Sequence, residues 1–249
     1  MRTYHQLTDP DRSGLLDQIV AQRKRVADRL AGVRRIVAVM SGKGGVGKSY
    51  VTANLARALA RGGSATGVLD ADLNGPTIPR LLQVAQNVAS PAIGIDGVKC
   101  VSMGHFLEDG APLAFKGPAA ESFVWRGAME ASALREFLGD VEWGDLDLLL
   151  LDLPPGMQRY IELCDILGKA PAALTVTIPT PESRDAVRRA MRAAVEHGSD
   201  LLGIVENMVG SDFEGTAADD LAREFATPVL ARIPWHPTPD TWAELGARL

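Results

Sequence analysis

Between Ser41 and Ser49 the chain reads SGKGGVGKS, and this is the one stretch whose residue types and spacing prescribe a definite chemistry. The string Gly42-x-x-x-x-Gly47-Lys48-Ser49 is a phosphate-binding loop. Its backbone N–H groups can wrap the phosphates of a nucleotide, and the following helix adds the positive end of its dipole. Gly42, Gly44, Gly45 and Gly47 let the backbone come close and take dihedrals that a Cβ would forbid, with Val46 between them. Lys48 is expected to reach the β- and γ-phosphates, and the Ser49 hydroxyl to ligate Mg²⁺. A glycine-rich connection between strand and helix would be the plainer reading, but it does not account for the full string in that position.

Further polar residues stand at the ends of apolar runs. Lys43 is a second lysine inside the loop; it is free to reach another nucleotide or the transferring phosphate, unless it is a solvated surface residue. Asp70 and Asp72 end the run VLDAD, where carboxylates can orient a water or hold a magnesium-bound one, or can cap the next turn. Asp152 closes LDLLLLD ahead of Pro154-Pro155-Gly156, the pattern of a magnesium-holding aspartate followed by a rigid turn that senses the γ-phosphate. Asn207 follows LLGIVE, and its amide offers the donor and acceptor that an adenine edge requires; its position alone does not decide that role.

These residues need a scaffold that brings strand ends to one edge. Short, nearly uniform apolar runs at 36–40, 65–69, 98–102, 146–151, 173–178, 201–205 and 229–233 read as strands buried on both faces. Helical stretches at 51–61, 130–138, 182–197 and 217–225 lie between most of them. The alternation predicts an α/β fold, a doubly wound and mostly parallel sheet with helices on both faces. Residues 1–34 read as a polar lead-in and an amphipathic helix over 15–33, and residues 35–249 as the nucleotide-binding domain. The stretch 82–98 is the least patterned and reads as a flexible excursion.

The 249 residues carry a formal net charge of −5, which argues against a general nucleic-acid binder. No run approaches the roughly 18 apolar residues of a membrane span, and the N-terminus lacks the apolar core of a secretory signal, so a cytoplasmic protein with no membrane partner is expected. Cys100 and Cys164, 64 residues apart, form neither a disulfide framework nor a CxxC pair.

The motifs VMSGKGGVGKS, NLARAL, VLDADLNGPTIPRLL, VSMGHFL, VWRGAM, WGDLDLLLLDLPPG and GIVENM, with Ile233-Pro234 after them, occur in an order that resembles the Mrp/ApbC group of deviant Walker A ATPases. These are relatives of MinD, ParA and the nitrogenase iron protein, and the resemblance spans nearly all of residues 34–235. It implies a homodimer in which Lys43 reaches the partner's nucleotide, Asp72 positions the hydrolytic water, Asp70 and Asp152 serve the magnesium shell, and Asn207 binds adenine. On that reading the catalytic residues are Lys43, Lys48 and Asp72.

Typical members carry a [4Fe–4S] cluster between subunits on a CxxC pair shortly after the ENM motif. Here MVGSDFEGTAADDLAREF follows Asn207 and holds no cysteine. Cys100 in a predicted strand and Cys164 in a predicted helix read as apolar fillers, and His105, His197 and His236 are scattered. A shared four-thiolate cluster is therefore not expected. Tyr50 stands where the family has threonine near the α-phosphate, and Met157, Gln158 and Arg159 replace the usual TGD. Slow or partner-dependent turnover is the consequence, with Arg159 available to an unidentified client protein. The expectation is thus an ATP- and Mg²⁺-dependent ATPase working as a dimeric switch for one client. The alternative is a cluster-assembly ATPase with unusual ligands; a ParA- or MinD-like positioning ATPase is disfavoured by the short, weakly basic tail TPDTWAELGARL. The four arginines in RDAVRRAMRAA read as a solvated face.

Overall fold

The computed structural model describes residues 15–73, 75–85, 91–105, 122–210, 213 and 215–249. The strands are β1 (Val33–Met40), β2 (Thr66–Asp70), β3 (Ala92–Ile93), β4 (Lys99–Ser102), β5 (Leu146–Asp152), β6 (Ala172–Thr177), β7 (Leu201–Val209) and β8 (Val229–Pro234). They form one sheet in the order β3-β4-β2-β5-β1-β6-β7-β8. Every neighbouring pair is parallel except β3 with β4.

The apolar runs are near-continuous because both faces are covered. Ala38 and Met40 of β1, with Leu149 and Leu151 of β5, join one core. Val37 and Val39, with Leu148 and Leu150, join the core on the other face. Period-two side chains thus feed two separate clusters. Helices α1 (Leu15–Arg29), α4 (Ser122–Gly139) and α5 (Gln158–Leu167) cover the first face, and α2 (Lys48–Arg61), the single-turn α3 (Ile78–Leu81) and α8 (Pro239–Gly246) the second. Helices α6 (Pro181–Glu196) and α7 (Ala217–Phe225) close a third cluster, through Val187, Met191 and Leu221, over Ile204 of β7. This is the doubly wound α/β architecture that the strand–helix alternation predicted.

Two expectations change. The stretch 82–98 is not a free excursion where it is described: β3 pairs antiparallel with β4, and Asp96 accepts from Arg57 and Arg61 of α2 at 3.0 Å each. A two-residue strand is too short to leave a period in the sequence, and the ion pairs are tertiary. The lead-in at 1–14 and residues 86–90 fall outside the described residues. Helix α1 ends at Arg29, and β1 begins at Val33. Val26 and Leu30 bury into the core beneath α4, so α1 packs with the sheet. Among the described residues no helix is long and apolar enough to cross a membrane.

Candidate functional site

All strands but β3 point their C-terminal ends to one edge, and the residues singled out from the sequence collect there. Strand β1 runs into the glycine loop, which opens α2 at Lys48. Gly45 and Gly47 sit at φ +79° and +78°, in the left-handed region that a side chain seldom tolerates. Two of the glycines are also fixed from behind. A Cβ on Gly42 would lie 2.0 Å from the backbone of Ala186 in α6, and one on Gly47 would lie 2.4 Å from the amide nitrogen of Asn207. The loop is therefore wedged between α6 and β7.

Asp152, at the tip of β5 and 0 % exposed, is the hub of the site. Its Oδ1 accepts from Lys48 Nζ at 2.7 Å and from Thr52 Oγ1 at 2.8 Å, and its Oδ2 accepts from Ser49 Oγ at 2.6 Å. Lys48, 7 % exposed, thus rests on a carboxylate at the place where phosphate would compete for it. The donor set beside the loop is a hydroxyl and carboxylates, the hard oxygen ligands that suit Mg²⁺. Thr52 was not foreseen; its signal was the one-turn spacing from Lys48, whose carbonyl it also caps at 3.0 Å.

Asp70 lies beside Asp152 in the β2–β5 register. Its Oδ2 accepts from the backbone N–H of Thr77 and of Ile78 at 3.1 Å each and from Ser102 Oγ at 3.3 Å, while its Oδ1 accepts from Asp72 N at 3.2 Å. Burial, and then the neighbouring Asp152 carboxylate, push its pKa up to about 8. The capping reading of a strand-end aspartate is met: Asp70 ties down the turn into α3, and it lies beside Asp152. Asp72 lines the cleft and accepts from Gly75 N at 3.2 Å.

The cleft encloses about 310 Å³ and is bounded by the loop from Ser41 to Tyr50, by Asp72, Thr77, Arg80 and Leu81, and by Pro155. A larger hollow of about 670 Å³ lies at the opposite end of the sheet, between α1 and the turn before β5, where Lys24, Arg25 and Arg29 already pair with Asp28, Asp140 and Glu142. The phosphate chemistry belongs to the smaller cleft. Lys43 is exposed at its mouth. Tyr50 is 41 % exposed and sets its ring edge-on to Trp242 of α8, with centroids 5.5 Å apart. Asn207 is 4 % exposed and is not part of the cleft wall; its amide donates to the Val46 carbonyl at 2.9 Å and braces the loop from behind.

One expectation is overturned. Arg159 is not available to a client protein: it is buried in α5, with its guanidinium 2.5 Å from Glu130 of α4 and 2.6 Å from Glu162. The base that entered the altered turn is matched by an acid from another helix, which the local sequence could not reveal. Three of the four arginines of α6 are likewise engaged: Arg184 pairs with Asp220, and Arg188 and Arg192 both pair with Glu224 of α7.

Cys100 is fully buried in β4 and Cys164 half-buried in α5, as their runs suggested. Burial raises both thiols, Cys100 strongly, so neither is a ready thiolate. Among the described residues no group of three or more His, Cys, Asp and Glu is placed to hold a metal ion.

Comparison with known proteins agrees with this geometry. Residues 32–248 match the family model described as ParA, NUBPL iron-transfer P-loop NTPase. The chain is 34 % identical over 240 residues to an iron–sulfur cluster carrier protein of Saccharolobus solfataricus, covering 89 % of this chain and 78 % of that protein. It is 34 % identical over 244 residues to the cytosolic Fe–S cluster assembly factor NUBP2 of Gallus gallus, covering 89 % of this chain and 85 % of that one. Among solved structures, a nucleotide-binding protein of Archaeoglobus fulgidus in complex with ADP superposes with a TM-score of 0.69 at 32 % identity, over 90 % of this chain and 91 % of that one. The chain belongs to the NUBPL-type iron-transfer family of P-loop NTPases.

Proposed function

We propose that the protein is a Mg²⁺-dependent ATPase that acts as a homodimeric nucleotide switch for a client protein in iron–sulfur protein assembly. The observation that carries the reading is the Lys48–Asp152–Ser49–Thr52 constellation at the mouth of the glycine loop. Entry of the nucleotide exchanges one anion for another at Lys48: the ammonium leaves Asp152 for the β- and γ-phosphates. The freed Asp152 carboxylate then holds the magnesium shell together with the Ser49 hydroxyl, and Asp70 stands behind it as an outer partner. Asp72, exposed to the cleft, orients the attacking water, and Lys43 reaches the partner subunit's nucleotide. Asn207 fixes the loop from behind through the Val46 carbonyl. The setting is the cytoplasm, in keeping with the name of the avian relative.

In this reading the chain carries no bridging cluster. A shared four-thiolate site needs two cysteines per subunit close to one surface. Cys100 lies inside the sheet and Cys164 on a helix packed against it, so the donor set does not fit. The names of the relatives favour the second reading, a carrier that holds a cluster through other ligands.

One set of measurements tests both. Purified anaerobically and reconstituted with iron and sulfide, the wild-type protein is expected to hydrolyse ATP and to hold no iron. About four irons per dimer, lost on replacing either cysteine, would establish the carrier reading. Lys43→Ala should keep nucleotide binding and lose turnover; turnover unchanged from wild type would remove Lys43 from the mechanism.

A further inference from the structure

Arg80, the third residue of α3, lines the nucleotide cleft and is exposed to it. Arginines elsewhere are mostly engaged: Arg57, Arg61, Arg184, Arg188, Arg192 and Arg232 each have a carboxylate within 3.2 Å. The Arg80 guanidinium has no hydrogen bond or ion pair among the described residues. A planar cation with five donors, held unpaired at the rim of a phosphate cleft, matches the geometry of a phosphate oxygen pair.

The wall that carries Arg80 faces the phosphate loop across the cleft. The loop amides between Gly42 and Ser49 form one side of the cleft, and Asp72, Thr77, Arg80 and Leu81 form another. Pro155, just beyond Asp152, completes it and stands 3.7 Å from where a Cβ on Gly44 would be. The segment bearing Arg80 is also fixed in place. Thr77 N and Ile78 N both donate to Asp70 Oδ2, and Asp70 lies beside Asp152 in the sheet. Arg80 therefore projects from a turn anchored to the residue next to the magnesium-holding carboxylate, so its position is preorganised.

We propose that Arg80 binds the terminal phosphate of a nucleoside triphosphate in this cleft and so separates the triphosphate from the diphosphate. The assignment rests on the phosphate-loop reading of the site and adds a specificity-determining residue to it. Lys48 and the loop amides grip both nucleotides; Arg80 would add charge-assisted hydrogen bonds only to the one with a third phosphate.

Calorimetric titration with Mg·ADP and with a non-hydrolysable Mg·ATP analogue tests it, using wild type, Arg80→Gln, Arg80→Lys and Lys48→Ala. Arg80→Gln is expected to weaken the triphosphate analogue about tenfold or more while leaving Mg·ADP within about twofold of wild type. Arg80→Lys, a point charge in place of a fork, should fall between. Because Arg80 has no partner among the described residues, neither variant should change the thermal midpoint of the protein measured without added nucleotide. Equal weakening of both nucleotides, or no change in either, overturns the assignment. Those outcomes are separate from failure of the underlying reading, which would appear as wild type and Lys48→Ala binding Mg·ADP alike, or wild type binding neither nucleotide; either would remove the assignment with it.

Discussion

Lys48 and Asp152 form a buried ion pair, and breaking it should cost the fold measurably. The bond is 2.7 Å long between a lysine 7 % exposed and an aspartate 0 % exposed. Removing one member of such a pair strands the other charge, at about 3–5 kcal/mol. Lys48→Met should fall near the lower figure, because Ser49 and Thr52 continue to donate to the carboxylate. Asp152→Leu should fall near the upper one, since Lys48 keeps only the Ser49 hydroxyl at 3.5 Å. For a chain of this length those losses lower the midpoint by about 6–20 °C. The double variant, Lys48→Met with Asp152→Leu, removes both charges and should be far closer to wild type than the two single losses added together. Urea denaturation of all four proteins in the presence of a chelator measures the cycle. Single losses under about 1 kcal/mol that add in the double variant would refute the buried pair. Saturating Mg·ATP should widen the gap: at a hundred times Kd it stabilises wild type by about 2.7 kcal/mol and leaves Lys48→Met unmoved.

Arg159→Met should destabilise by about 3 kcal/mol, since it removes the buried guanidinium that joins Glu130 of α4 to Glu162 of α5; thermal or urea denaturation reads the loss, and a change below about 1 kcal/mol would mean that this link adds little to the fold. Arg159→Lys should recover only part, because one ammonium cannot span both Glu130 and Glu162. Asp70 gives a pH signature. Its folded pKa of about 8 lies above the unfolded carboxylate range, so the protonated form favours the fold. The contribution is complete below about pH 4 and is lost as pH rises toward 8. Relative to wild type, Asp70→Asn should therefore gain stability progressively between those limits and hold a constant difference above them. Denaturation midpoints at a series of pH values check this, and a difference that does not vary with pH would show that the hydrogen bonds from Thr77 and Ile78 keep the carboxylate charged.

What could be read from the sequence was whatever the backbone itself must obey. The loop from Gly42 to Ser49 declares its function because only glycine takes φ near +79° at Gly45 and +78° at Gly47, and because only Gly42 passes the Ala186 backbone. The runs at β1, β2 and β5 were legible because strands buried on both faces are apolar through their middles, and β2 and β5 end on Asp70 and Asp152. Pairings across the fold were not legible. Nothing near Arg159 in the chain announces Glu130, 29 residues away, and nothing near Lys48 announces that its resting partner is Asp152, 104 residues away. The antiparallel β3 was missed for a related reason: its two residues gain their order from β4, and the turn after it from Arg57 and Arg61.

The substitutions that set this chain apart from the Mrp/ApbC pattern share a physical outcome. Tyr50 replaces a small hydroxyl residue at the start of α2, and its ring meets Trp242 of α8 edge-on. Arg159 replaces an acid at the start of α5 and finds a buried acid on α4. In each case the new side chain is compensated by a residue from a distant helix, a tie between elements that brings two groups to neutrality or to aromatic contact. Neither change touches the oxygen and nitrogen atoms that meet at Asp152. The loop and the altered residues around it therefore serve different parts of the structure. The loop carries the phosphate-binding geometry, and the contacts of Tyr50 and Arg159 tie α2 to α8 and α5 to α4.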